Sequence, residues 1–191
     1  MRLFVAIFPP KEHLDYYRDV LRVFSKQKRN LRPIPVDQTH LTLKFIGSNV
    51  SEESKNLIAE QLLAWQGSYP KPEIKVKAIK FGFANQSSPR HLIAAIERNN
   101  ELDELGKMVH DAVKAQKQRD TIRWKTKYSR SYHITLAKLK DTATNSSGKL
   151  ITSNIKNIKI QPPKAFVPDE MFLIESLTSR SGTPIYRRIE R

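Results

Sequence analysis

The sequence predicts an α+β protein made of two similar lobes around a shared cleft, related by a pseudo-twofold axis. Three observations carry this. Segments that alternate like strands and segments with helically spaced apolar residues succeed one another along all 191 residues with no linker between them. The order strand, helix, strand occurs twice, giving approximate repeat halves of 1–88 and 89–191 within one domain, 1–191, of interleaved lobes. Each repeat also contains a strand that spaces a histidine and a threonine two apart: "THLTLKF" at 39–45 and "YHITLAK" at 132–138.

The elements follow in order. Residues 2–8 form an apolar strand, and Pro9 and Pro10 then open a helix bearing Leu14, Tyr17, Leu21 and Phe24. In the first His/Thr strand, strict alternation sets Leu41, Leu43 and Phe45 on one face and His40, Thr42 and Lys44 on the other. Ser51 is a helix N-cap with Glu52 and Glu53 behind it, and Leu57, Ile58, Leu62 and Trp65 continue that helix until Gly67 and Pro70 stop it. "EIKVKAIKF" reads as a strand, "NQSSPR" at 85–90 as a hairpin loop and "HLIAAI" at 91–96 as a strand. A helix from about residue 100 carries Leu102, Leu105, Met108, Val109, Ala112 and Val113 into the second His/Thr strand. "TATNSSG" is a loop by composition, 149–160 is helical or extended, and short strands are expected near 159–166, 170–176 and 184–189. The two histidines lie 93 positions apart, and the ends of the preceding apolar strands, Ile7 and Ile96, lie 89 apart, an agreement that favours duplication.

The net charge of +15 is spread evenly, with 15 Lys+Arg against 8 Asp+Glu in residues 1–95 and 19 against 11 in residues 96–191. The charge therefore belongs to the folded body, which would attract a polyanion, nucleic acid first among them; a lysine-rich surface that only aids solubility is the plain alternative. The absence of cysteine excludes disulfides, thiolate chemistry and Cys-based zinc sites. The start "MRLFVAIFPP" lacks the pattern of a signal peptide, and no run approaches the roughly 20 apolar residues of a membrane span, so a cytoplasmic protein is expected.

Histidine is the side chain whose ordinary pKa lets it give or take a proton near neutrality. Two facing histidines, one neutral and one protonated, can deprotonate a nucleophile and protonate a leaving group in one step. In-line displacement at phosphorus places those two groups on opposite sides, which suits a twofold-related pair. Thr42 and Thr135 could donate hydroxyl hydrogen bonds to the phosphate between them.

"HLTLKF" and "HITLAK" resemble the paired H-x-T-x motifs of the two-histidine (2H) phosphoesterase superfamily, and the whole chain is similar to its LigT-like branch, the RNA 2′,3′-cyclic phosphodiesterases, also called 2′-5′ RNA ligases. The opening "MRLFVAIFPP", the flank "ELDELG" and the closing "MFLIESLTSRSGTPIYRR" extend the likeness from end to end. The resemblance implies a bilobal α+β fold with an antiparallel sheet and flanking helices in each lobe. It implies metal-independent opening of a 2′,3′-cyclic phosphate at an RNA end to a 2′-phosphate, with no cofactor; a monomer acting away from membranes is expected. His40 would be the proton donor, His133 the proton acceptor, and Thr42 and Thr135 the phosphate holders. On the residues alone, the near-symmetry leaves donor and acceptor exchangeable.

The chain departs from the family pattern in two places, with Tyr132 where proline often precedes the second histidine and Lys138 where arginine often follows it. Lysine keeps the charge and loses the planar fork. Lys44, Arg90, Lys138 and, in the basic run "RWKTKYSR", Arg123, Lys125, Lys127 and Arg130 are candidate RNA contacts. Lys44 and Phe45 also have the plainer reading of a solvated lysine and a core phenylalanine. His13, His91 and His110 lack a threonine two residues on and read as structural or surface residues. A zinc site would fall short of three protein ligands. The competing functions are 2′-5′ RNA ligation at the same site, action on a small cyclic nucleotide, and non-catalytic binding of RNA ends.

Overall fold

The structure, a computed structural model, describes residues 1–65, 67–83, 88–117, 131–178 and 184–189. Among the described residues, eight strands and four α-helices follow in the order β1 (Leu3–Ile7), α1 (Lys11–Val23), β2 (Leu31–Pro33), β3 (Leu41–Gly47), α2 (Glu52–Ala64), β4 (Val76–Phe81), β5 (His91–Ile96), α3 (Asn100–Lys117), β6 (His133–Leu139), α4 (Asn145–Ile155), β7 (Phe172–Thr178) and β8 (Pro184–Arg188). All pairings are antiparallel, in the order β4-β5-β6-β3-β1-β7-β8, with β2 on the far part of β6.

The two matched portions of this sheet meet at β3 and β6, through the single register pair Leu41–Ile134. Outward from that seam the order is matched: β1 beside β3 answers β5 beside β6, and β7 beside β1 answers β4 beside β5. The outer strands are exchanged. β4, from the first half of the chain, completes the β5–β6 side, and β7, from the second half, completes the β1–β3 side. The strands thus form one continuous sheet of two matched portions, where one sheet per lobe was expected.

Local chemistry explains the helices. The hydroxyl of Ser51 accepts the Ser54 N–H at 3.1 Å and opens α2, as its sequence predicts. The side-chain oxygen of Asn99 does the same for the Leu102 N–H at 2.8 Å ahead of α3. The helices bury their apolar stripes against one face of the sheet, where Tyr17, Val20, Ile58, Leu62, Leu102, Leu105 and Val109 join Leu3, Val5, Ile7, Leu41, Leu92, Ile134 and Leu136 in a continuous core. The opposite face carries a smaller cluster of Phe4, Ala6 and Ile174, flanked by Phe8, Phe45, Phe172 and Tyr186.

Three expectations are corrected. "NSSG" is not loop: it forms the first turn of α4, with Thr144 at the N-cap. Residues 159–166 form no strand, and only the isolated bridge Ile74–Phe166 is made there. The third correction concerns strict alternation in the His/Thr strands, which fails at the same place in both. In β3, Thr42 pairs with Ala6 and Lys44 with Val5, so Leu43 is the extra residue of a β-bulge. In β6, Thr135 pairs with Ile93 and Ala137 with Leu92, so Leu136 is the extra residue. Each bulge turns two consecutive residues into the core, Leu43 with Lys44 and Leu136 with Ala137, and returns the next residue, Phe45 or Lys138, to the open face. Strands equated by these bulges are offset by 87 positions, Ile93 matching Ala6, two fewer than the apolar ends had suggested.

Candidate active site at the seam

The seam positions the site. Leu41 and Ile134 face each other on the core side, so alternation sends His40, Thr42, His133 and Thr135 to the other side. Antiparallel register then sets His40 opposite Thr135 and Thr42 opposite His133. All four line one cavity of about 180 Å³ with Ile34, Phe83, His91, Lys138 and Tyr186.

Each histidine is tied to its own strand entrance. Nδ1 of His40 lies 2.8 Å from the carbonyl of Gln38, and Nδ1 of His133 lies 3.4 Å from the carbonyl of Ser131. A carbonyl only accepts, so the Nδ1 of each ring carries the proton and the Nε2 lone pair is left for chemistry. His40 is held in an aromatic box, stacked on Phe4 at 4.8 Å with Tyr186 edge-on at 4.9 Å and Phe8 at 5.9 Å. Burial lowers its pKa to about 4; the Gln38 carbonyl opposes that shift, and the charges of His133 and Lys138 add to it. His133 meets the ring of Phe83 at 4.7 Å, and burial lowers its pKa as well, against the Ser131 carbonyl.

The other candidates divide. Lys138 reaches the cavity because of the β6 bulge, and its pKa is lowered by burial and by the charges of Arg32 and Arg2. Lys44 is turned to the helix side of the sheet at 6% exposure, where its charge acts on His110 of α3. Phe45 takes the open-face position instead, with the Arg2 guanidinium 4.8 Å above its ring. Arg90 donates to Asp141 at 2.6 Å and borders a separate groove beside α4. Arg123, Lys125, Lys127 and Arg130 lie outside the described residues. Tyr132 is a structural tie: it is buried, and its hydroxyl donates to the Leu102 carbonyl at 3.0 Å, joining the entrance of β6 to α3. His91, read as structural from the sequence, lines the cavity, as do Tyr186, Phe83 and Ile34. A signal for His91 existed in the duplication, since it is the register counterpart of Phe4, the ring beneath His40. Tyr186 left none, because it comes from a strand distant in sequence.

Among the described residues no group of three His, Cys, Asp or Glu is placed to hold a metal ion, and no helix is long and apolar enough to cross a membrane.

The solved structures resolve what this arrangement belongs to. TT0787 of Thermus thermophilus superposes with a TM-score of 0.73 at 24% identity over 100% of this chain and 96% of its own. E. coli LigT in its apo form gives a TM-score of 0.63 at 22% identity over 99% of this chain and 94% of its own. The protein has the LigT fold. No family model matches the sequence, and none of the curated proteins matches it. The likeness to LigT thus lies in the fold, and the chemistry has to be argued from the cavity.

Proposed function

We propose that the chain is a 2H phosphoesterase that opens 2′,3′-cyclic phosphate ends of RNA to 2′-phosphates without a metal. The observation that carries this reading is the Leu41–Ile134 register pair, which sets two His/Thr pairs around one cavity. Crystal structures of E. coli LigT complexed with 3′-AMP and with phosphate support it, since the LigT fold there accepts a nucleotide and a phosphate.

The phosphate sits between the lobes with its non-bridging oxygens on the hydroxyls of Thr42 and Thr135. His133 takes the proton of the attacking water through Nε2, and His40 delivers one to the departing 3′ oxygen. Before substrate binds, His40 is neutral at pH 7, because burial holds its pKa at about 4. A bound phosphodiester brings a negative charge into the same low-dielectric space, which favours the imidazolium. The substrate thereby helps to protonate its own acid. The net charge of +15 draws an RNA end to a basic body acting in the cytoplasm.

The test is incubation with an oligonucleotide ending in a 2′,3′-cyclic phosphate, in the presence of EDTA, with identification of the product isomer. A 2′-phosphate product with turnover retained is expected. A 3′-phosphate product would overturn the assignment of the leaving oxygen, and complete loss of turnover in EDTA would overturn the metal-free mechanism.

A further inference from the structure

The two bulges make the cavity symmetric in backbone and asymmetric in chemistry. At the second pair beyond the bulge, the β1–β3 side carries Phe4 and Phe45, and the β5–β6 side carries His91 and Lys138. One pair is wholly aromatic, and the other consists of two nitrogen bases that line the cavity. Lys138 is in turn the register partner of Arg32 on β2. Arg32 and Lys138 border a shared recess with Tyr186 and Gln38, opening beside the cavity.

The charge in this region exceeds what one phosphodiester requires. Among the described residues no Asp or Glu lines the cavity, and neither Lys138 nor Arg32 has an ion-pair partner. Nδ1 of His91 is buried without a hydrogen-bond partner. A cyclic phosphate carries a single negative charge, and the two threonine hydroxyls and two catalytic imidazoles already surround it. From Thr135 to Lys138 the β6 strand advances two pairing steps, about 7 Å. That distance is comparable to the separation of consecutive phosphates along a nucleic-acid strand.

We propose that His91 and Lys138, backed by Arg32, form a second phosphate subsite that holds the phosphodiester immediately upstream of the cyclic end. The proposal rests on the reading of the cavity as an RNA-end site and specifies its substrate as a strand, in preference to a lone nucleoside cyclic phosphate. It also bears on the direction of the strand. Among the described residues that line the cavity, the nitrogen bases beyond the two His/Thr pairs lie on the β5–β6 side, which favours one direction of the strand and with it one assignment of the roles of His40 and His133. A paired lysine and histidine replace two arms of the guanidinium fork that a single arginine would supply at position 138.

The experiment compares binding of adenosine 2′-phosphate and adenosine 2′,5′-bisphosphate to the full chain by calorimetry, the 5′-phosphate standing in for the upstream phosphodiester. The expected result is tighter binding of the bisphosphate by about tenfold or more, the scale of a charge-assisted hydrogen bond. His91→Val and Lys138→Met should each bring the ratio of affinities toward one, and two separate variants guard against either failing to fold. Equal affinity of the intact protein for the two ligands, or a preference that both variants keep, overturns the subsite. Turnover of the cyclic-ended oligonucleotide is measured in parallel. Turnover with no bisphosphate preference sinks the subsite alone, and the expected preference without turnover sinks the catalytic reading and leaves the subsite standing.

Discussion

His40 and His133 occupy the same place in the same motif, and their surroundings differ. His40 is boxed by Phe4, Phe8 and Tyr186 and held by a 2.8 Å contact to Gln38, whereas His133 touches the ring of Phe83 and stands 3.4 Å from the Ser131 carbonyl. Burial lowers the pKa of both and brings His40 to about 4. Duplication supplies two similar bases, and unequal packing separates their proton affinities. His40, the proposed donor, is the one that burial keeps neutral, so its role depends on the bound phosphodiester to restore its proton.

The largest expected effect comes from deleting either member. His40→Ala and His133→Ala should each lower turnover by about 10² to 10⁴, the usual contribution of one positioned acid or base, while circular dichroism stays native. Wild-type turnover in either variant would end the two-histidine account.

The next effect is on stability. His40 holds its proton less tightly folded than unfolded, since its folded pKa of about 4 lies below 6.5. Between those values the unfolded chain binds more protons, so stability rises with pH across this window and is lost as pH falls through it. At about 1.4 kcal/mol per unit, His40 alone amounts to roughly 3 kcal/mol. Urea midpoints from pH 4 to 7 should therefore flatten more in His40→Leu than in His133→Leu. Equal slopes would mean that the two environments do not differ as described.

A smaller effect tests the box itself. Phe4→Leu removes the ring stacked on His40 and admits water, so the His40 pKa followed by NMR should move up by about one unit, with His133 unmoved. The smallest belongs to Lys44, whose counterpart beyond the second bulge is Ala137. Lys44→Met should leave turnover near wild type, because the side chain lies across the sheet from the cavity. A large loss in steady-state assays would place it in the site after all.

How far the sequence reached can be judged from these same residues. The shared open-face placement of His40, Thr42, His133 and Thr135 was legible because each pair sits at the start of its strand, before the bulge, where period two still holds. Lys44 and Phe45 were placed on the wrong faces because a bulge inserts one residue without changing composition, and nothing in "LTLKF" marks it. The capped starts of α2 and α3 were legible from Ser51 and the apolar stripe, whereas the "NSSG" turn of α4 has loop composition and is held by tertiary packing of Ile151. His91 and Tyr186 were missed because they reach the cavity through the sheet order and not through a motif.

The exchange of outer strands also has a consequence for how the chain acquires its structure. β1 precedes every other strand of this sequence, yet one of its two neighbours, β7, begins at Phe172. Until the chain has emerged as far as β7, one edge of β1 is an unpaired row of amides open to foreign strands. Such pairing between remote segments raises contact order, which slows folding and lengthens exposure to aggregation. A fragment ending near residue 88 would keep β1 and β3 but lack the strand that closes them, so the halves should gain native structure only when both are present.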